Sequence, residues 1–212
     1  MADRDIEILT PATDFDLLTL DEAKHLIGMS TTDTSMDAQL QLWIDINSQT
    51  VARLCNRIFA REEVSETWRD LNGGDRLFLS HWPVAKGDVE SVEVPAGSGT
   101  MLDATGWRIE EGSGKLTVTA DVADPVTVTY WGGYLLPDDA PMPLKQATAM
   151  LIAQSKLLSS LGTTAGMRQV AHKEKRVSYY DPNILLTAVM GKGTGTETAI
   201  MSLLSHYIRY EV

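Results

Sequence analysis

The residues able to do chemistry are few and badly spaced for it. The four histidines are His25, His81, His172 and His206. None sits in an H-E-x-x-H turn or beside cysteines at metal-ligand spacing, so a zinc centre is not expected, nor any other metal or cofactor. No G-x-S-x-G elbow is present to strain a serine into a nucleophile. Cys55 is the only cysteine; it follows Leu54 on an apolar helix face and reads as a small core residue, not a thiolate. Gly191-Lys192-Gly193-Thr194-Gly195-Thr196 has the composition of a phosphate loop but not the G-x-x-x-x-G-K-[ST] order, and helix rather than strand precedes it. It reads as a turn between helices. The acid pairs Glu62/Glu63, Glu110/Glu111 and Asp138/Asp139 lie at turns or strand ends, where neighbouring carboxylates are usually solvated; the two-carboxylate chemistry of glycosidases is not expected of them. No catalytic residue emerges, and a non-enzymatic protein is expected.

What remains are groups suited to recognition. Arg168, Lys173, Lys175 and Arg176 place four basic residues within nine, on a chain of formal net charge −11. A solvated loop, a dock for an acidic protein and a nucleic-acid contact all fit. Single-strand binding would call for interleaved aromatic platforms, and Tyr179 and Tyr180 follow the cations without interleaving. On the helix expected over about 35–58, Leu42 and Ile46 lie opposite the main apolar stripe, either as scattered exposed residues or as a second contact face toward the β segment or another subunit. Ile200, Leu203, Leu204, Tyr207 and Ile208 share a face of the last helix, about 196–210.

The elements that must position these groups follow from periodicity. Residues 1–17 have no clean period and read as an arm, either frayed or packed on a neighbour. Thr19-Leu20-Asp21-Glu22 is a capping box opening a short helix to about Gly28. In the next helix Met36, Leu40, Ile44, Asn47, Val51, Leu54 and Ile58 recur at 100° per residue and predict the buried stripe. From Val64 the period drops to two. Strands are expected at 64–70, 76–80, 89–94, 107–110, 115–119 and 126–130, separated by turns rich in Gly, Asn and Asp. Pro137, Pro141 and Pro143 close this segment. A helix with Leu144, Ala147, Leu151, Leu158 and Leu161 on one side then runs to Gly162. Residues 163–180 read as irregular, and Asp181-Pro182 as the start of a further helix ending at Gly191.

The predicted class is α+β: an N-terminal arm (1–17), a helical scaffold of two N-terminal helices plus C-terminal ones (18–61 and 138–212), and an inserted antiparallel sheet or small barrel (62–137). With 212 residues the chain can bury one good core, or one plus a satellite. A lone cysteine excludes an internal disulfide and points to an intracellular assembly site. The acidic start, Met1-Ala2-Asp3-Arg4-Asp5, does not look like a secretory signal. No stretch approaches the roughly 18 consecutive apolar residues of a membrane span, so no membrane partner is expected. The negative charge disfavours loose attraction to DNA or anionic lipid.

In order and spacing, five segments resemble the head–tail connector (adaptor, or head-completion) proteins of tailed bacteriophages. They are Leu18-Thr19-Leu20-Asp21-Glu22-Ala23-Lys24, Cys55-Asn56-Arg57-Ile58-Phe59, Leu79-Ser80-His81-Trp82-Pro83-Val84, the run from Val126 to Tyr134, and Pro141-Met142-Pro143-Leu144-Lys145-Gln146-Ala147. The resemblance covers about residues 17–160. Ala85-Lys86-Gly87-Asp88 lengthens one step of the pattern, and residues 163–212 extend beyond it.

The resemblance implies a virion protein of the neck, assembled in the host cytoplasm. It implies a ring, usually dodecameric, beneath the portal, with a tail or stopper protein below. The ring would carry double-stranded DNA through its channel without specific binding. Twelve copies would bear on the order of −130 formal charge, which would keep passing DNA from adhering. On this reading Leu42 and Ile46 are expected at the subunit interface. Arg168, Lys173, Lys175, Arg176, Ile200, Leu204, Tyr207 and Ile208 are expected to dock on the portal. Another neck or tail-completion ring protein of the same machine is the alternative, ahead of a small hydrolase or a DNA-binding module.

Overall fold

The fold is described from a computed structural model, covering residues 3–69, 71, 76–119, 124–162, 169–172, 175–178 and 195–209. The protein is α+β, and the chain divides into two units. A β unit takes residues 1–15 and 56–140, and a helical unit takes 16–55 and 141–212.

The β unit holds two antiparallel sheets facing each other, and neither closes into a barrel. The larger has the order β1 (Asp3–Thr10), β2 (Glu62–Arg69), β7 (Val126–Gly132), β4 (Val89–Glu93); the smaller has the order β3 (Arg76–Phe78), β6 (Lys115–Val118), β5 (Trp107–Glu110). The two-residue period decides which side chains go inward. Glu62 to Trp68 alternate buried and half-buried, as do Val126 to Gly132. The register sets Val64 opposite Tyr130 and Trp68 opposite Val126. Val64, Trp68, Val92, Val126, Val128 and Tyr130 of the large sheet meet Leu77, Trp107, Ile109, Leu116 and Val118 of the small one in one core. Each aliphatic side chain so buried contributes roughly 1.5–3 kcal/mol before entropy is counted.

Residues 3–10, read from sequence as an arm, instead form β1 and pair antiparallel with β2 from Asp3↔Arg69 to Thr10↔Glu63. The strand lies at the sheet edge, and residues 4–10 are all exposed. An edge strand solvated on both faces writes no core pattern into the sequence.

The helical unit contains α1 (Leu20–Leu26), α2 (Asp37–Cys55), α3 (Met142–Gly162) and α4 (Gly195–Leu204) among the described residues. The capping box of α1 is formed: the Glu22 N–H donates to Thr19 Oγ1 at 3.2 Å, and the Thr19 N–H donates to Glu22 Oε2 at 3.0 Å. Leu18, Ala23, Leu40, Ile44, Ala149 and Ile152 make the core. Cys55 is fully buried, as a small core residue should be. Leu54 and Ile58, predicted on the buried stripe of α2, are 42% and 39% exposed. The helix ends at Cys55, so the stripe loses its last turn, and Ser48 and Cys55 fill the inward positions instead. Two buried lysines are neutralised locally: Lys24 meets Asp37 at 2.6 Å, and Lys145 meets Glu22 at 2.6 Å. Burial alone would raise the Glu22 carboxyl, but the hydrogen bonds from Lys145 and the Thr19 N–H outweigh it and hold the group below the usual range.

Part of the stretch 163–180, read as irregular, forms an antiparallel strand pair, β8 (Gln169–His172) and β9 (Lys175–Ser178). The helix expected from Asp181 to Gly191 lies outside the described residues.

Candidate functional site

Three motifs far apart in the sequence converge in the β unit. Arg57 lays its guanidinium 3.2 Å from the ring centre of Trp82 and 4.6 Å from that of Phe59, and it donates to the Trp82 carbonyl. The end of β7 closes the same junction. The Gly133 N–H donates to the Pro83 carbonyl at 3.0 Å, the Tyr134 N–H to the Phe59 carbonyl at 2.8 Å, and the Arg61 N–H to the Tyr134 carbonyl at 2.9 Å. Glycine is required at the crossing. Gly133 has φ +106°, and a Cβ there would strike the backbone of Ala60; one on Gly132 would strike the His81 carbonyl. The Cys-Asn-Arg-Ile-Phe, Trp-Pro-Val and Tyr-Trp-Gly-Gly-Tyr segments are thus pieces of one junction.

Beneath the junction lies a buried polar cluster. His81 is 3% exposed; its Nε2 stands 3.0 Å from Glu62 Oε2 and its Nδ1 2.8 Å from Ser80 Oγ. The order serine–histidine–glutamate has the members of a hydrolytic triad. Its geometry suits a different task. Ser80 is 9% exposed, and its hydroxyl donates to Glu66, a carboxylate, instead of facing an open cleft. Glu66 is fully buried and also accepts from the Tyr130 hydroxyl and from the Ser80 N–H at 2.8 Å. Burial and the charge of Glu66 push the Tyr130 hydroxyl far above its ordinary titration range, so it remains a donor. The cluster ties the chain before β4 to β2 and β7 through hydrogen bonds sheltered from water.

This cluster corrects one expectation from sequence. Glu62 and Glu63 are not both solvated: strand alternation turns Glu62 inward, to 2% exposure, and leaves Glu63 half-buried on the opposite face. Sequence reasoning also missed His81, because no local spacing marks a histidine whose ring bridges the adjacent Ser80 and Glu62 of β2.

The recognition residues are scattered by contrast. Leu42 and Ile46 are 54% and 50% exposed, one turn apart on α2, on the side away from Leu40 and Ile44. Ile200 and Leu204, expected on a docking face, are 5% and 0% exposed. Helix α4 spends its apolar stripe on packing within the helical unit, against α3, so neither side chain is open to a partner in this fold. Tyr207 and Ile208 are half-buried. Lys175 and Arg176 fall on β9, and Arg168 and Lys173 lie outside the described residues. No group of His, Cys, Asp and Glu able to hold a metal ion occurs among the described residues, and none of their helices is long and apolar enough to cross a membrane.

No family model matches the chain, and no curated protein matches it. Solved structures do. A chain from the neck of an empty GTA particle, computed with C6 symmetry, superposes with TM-score 0.58 at 16% identity, over 98% of this chain and 97% of that one. A chain from the virion of a native gene transfer agent (GTA) particle gives TM-score 0.55 at 17% identity, over 98% and 96%. A chain from the neck of a native GTA particle computed with C12 symmetry gives 0.53 at 16%, over 98% and 97%. The fold is therefore shared end to end with these chains.

Proposed function

We propose that this chain is a structural protein of the neck of a phage-type particle: an adaptor that forms a ring beneath the portal, joins the capsid to the tail and continues the DNA channel. The observation that carries the reading is the end-to-end likeness to chains of GTA particle necks. The C6 and C12 symmetries with which those necks were computed support an arrangement of repeated copies. Three of the five connector-like motifs support it independently, because they meet at one junction within the β unit. A net charge of −11 per copy suits a channel that DNA must traverse without sticking.

In this reading Leu42 and Ile46 face the neighbouring subunit, since two large apolar side chains one turn apart gain nothing from solvent. The basic residues Arg168, Lys173, Lys175 and Arg176 dock on the portal, and Tyr207 and Ile208 remain the apolar part of that contact.

Reconstruction of the particle neck tests the reading: density for this chain in a ring between portal and tail is expected, and its absence from the neck would refute it. Portal docking is read separately by reversing Arg168, Lys173, Lys175 and Arg176 to Glu. Purified portal should lose the variant, and unchanged capture would remove that contact from the proposal.

A further inference from the structure

The β unit carries opposite charge on its two outer faces. On the small sheet the register stacks Arg76, Thr117 and Arg108 in one rung, and Phe78, Lys115 and Glu110 in the next. Leu77, Leu116 and Ile109, between the rungs, point into the core, so both rungs face outward. Arg76 and Arg108 are exposed, and Phe78 is 47% exposed. A shallow depression of about 490 Å³ lies over Arg108, Glu110, Lys115 and Thr117. This face bears three cations to one carboxylate, on a chain of net charge −11.

The outer face of the large sheet has the reverse sign. Asp5 pairs with Thr67, Glu7 with Ser65, Thr10 with Glu63, and Glu93 with Thr127, all outward positions. Asp5 is 71% exposed and Glu7 is exposed. The cations Arg69 and Arg61 on this side are each met by a carboxylate, Arg69 at 4.0 Å from Asp5 and Arg61 at 2.7 Å from Asp88.

We infer that these two faces are the complementary halves of a contact between copies of this chain. The sheets share one core, so their outer faces point away from each other and cannot meet within a copy. A contact between unlike patches is heterologous and joins copies head to tail, the arrangement that closes into a ring when the rotation permits. Nucleic acid fits the basic face less well. Glu110 stands within the depression, and the net charge of the chain opposes a polyanion, whereas carboxylates on strand-spaced rungs can interleave with arginines on rungs of the same spacing. The inference deepens the ring reading above and rests on it only for closure.

Sedimentation of the purified full-length chain tests it. The wild type is expected to self-associate at low salt and to disperse at about 0.5 M salt, where screening shortens to about 4 Å. Arg108→Glu with Lys115→Glu, and separately Asp5→Arg with Glu7→Arg, should each weaken association more than about tenfold, and an equimolar mixture of the two variants should restore it. Arg108→Lys should associate as the wild type does. A wild type that stays monomeric at low salt, charge-reversed variants that associate normally, or folded variants whose mixture does not would each overturn the inference. So would salt-sensitive retention of double-stranded DNA that depends on Arg108 without self-association. Normal incorporation of the Arg108→Glu, Lys115→Glu variant into particle necks would overturn it too while leaving the neck reading intact.

Discussion

Arg4 on β1 holds its guanidinium 3.7 Å from the carboxylate of Glu66 on β2, a side chain with no exposure to solvent. The neutral donors Ser80 and Tyr130 engage one oxygen of Glu66, and Arg4 brings positive charge to the other. A strand whose side chains are otherwise exposed thereby completes a buried cluster.

Arg4→Met keeps the aliphatic stem and removes the charge, leaving Glu66 less well compensated. The expected loss is about 1–3 kcal/mol in urea unfolding, below that of breaking a wholly buried pair because Arg4 keeps 30% of its side-chain exposure. Adding Glu66→Gln should recover part of the loss. Strict additivity of the two changes would show that the pair is not coupled.

Tyr130 makes alkaline stability informative. Its hydroxyl titrates higher in the folded chain than in the unfolded one, chiefly through burial and then through Glu66. The stability it confers is present in full below the unfolded value of about 10 and is lost progressively as pH rises above it. Tyr130→Phe should cost about 1–2 kcal/mol at neutral pH and flatten the decline above pH ~10. An unchanged alkaline slope in the variant would contradict this.

Gly133→Ala should be among the most damaging single substitutions in the β unit. The new methyl meets the Ala60 backbone at a φ that alanine avoids, and neither neighbour is a flexible side chain that could yield. A loss of more than about 3 kcal/mol, or failure to fold, is expected by circular dichroism and thermal melting. By contrast Gly112→Ala, where a Cβ meets open space, should leave the melting temperature nearly unchanged.

Leu42→Asp with Ile46→Asp tests the proposed subunit face apart from the fold. Both side chains are at least half exposed, so the free energy of urea unfolding should change by no more than about 0.5 kcal/mol per site. Incorporation into particle necks, followed by quantitative electrophoresis of purified particles, should fall sharply. Wild-type incorporation would free α2 from that role.

The legible parts of the fold were those whose physics is local. The capping box at Thr19 and Glu22 is a four-residue pattern, and it formed as read. The alternation of Val126, Val128 and Tyr130 with Thr127 and Thr129 announced a half-buried strand and its inward face. Illegible were features that depend on a distant partner. β1 finds its mate some fifty residues or more away, and alternation alone could not say that Glu62 turns toward His81 while Glu63 does not. The recognition residues divided in the same way: exposed Leu42 and Ile46 stand out as off-stripe, but that Ile200 and Leu204 are taken up inside the helical unit depends on how α4 meets α3.

The pairing of Asp3 with Arg69 has a kinetic consequence. Between β1 and its partner strand β2 the chain must first make α1 and α2. Closing so long a loop is entropically costly, so β1 should be the last strand to zip and the first to fray. Hydrogen exchange should register this order: the amides of Ile6 and Ile8 should exchange before those of Val64 and Val128, so the pairing of β1 would mark the completion of folding.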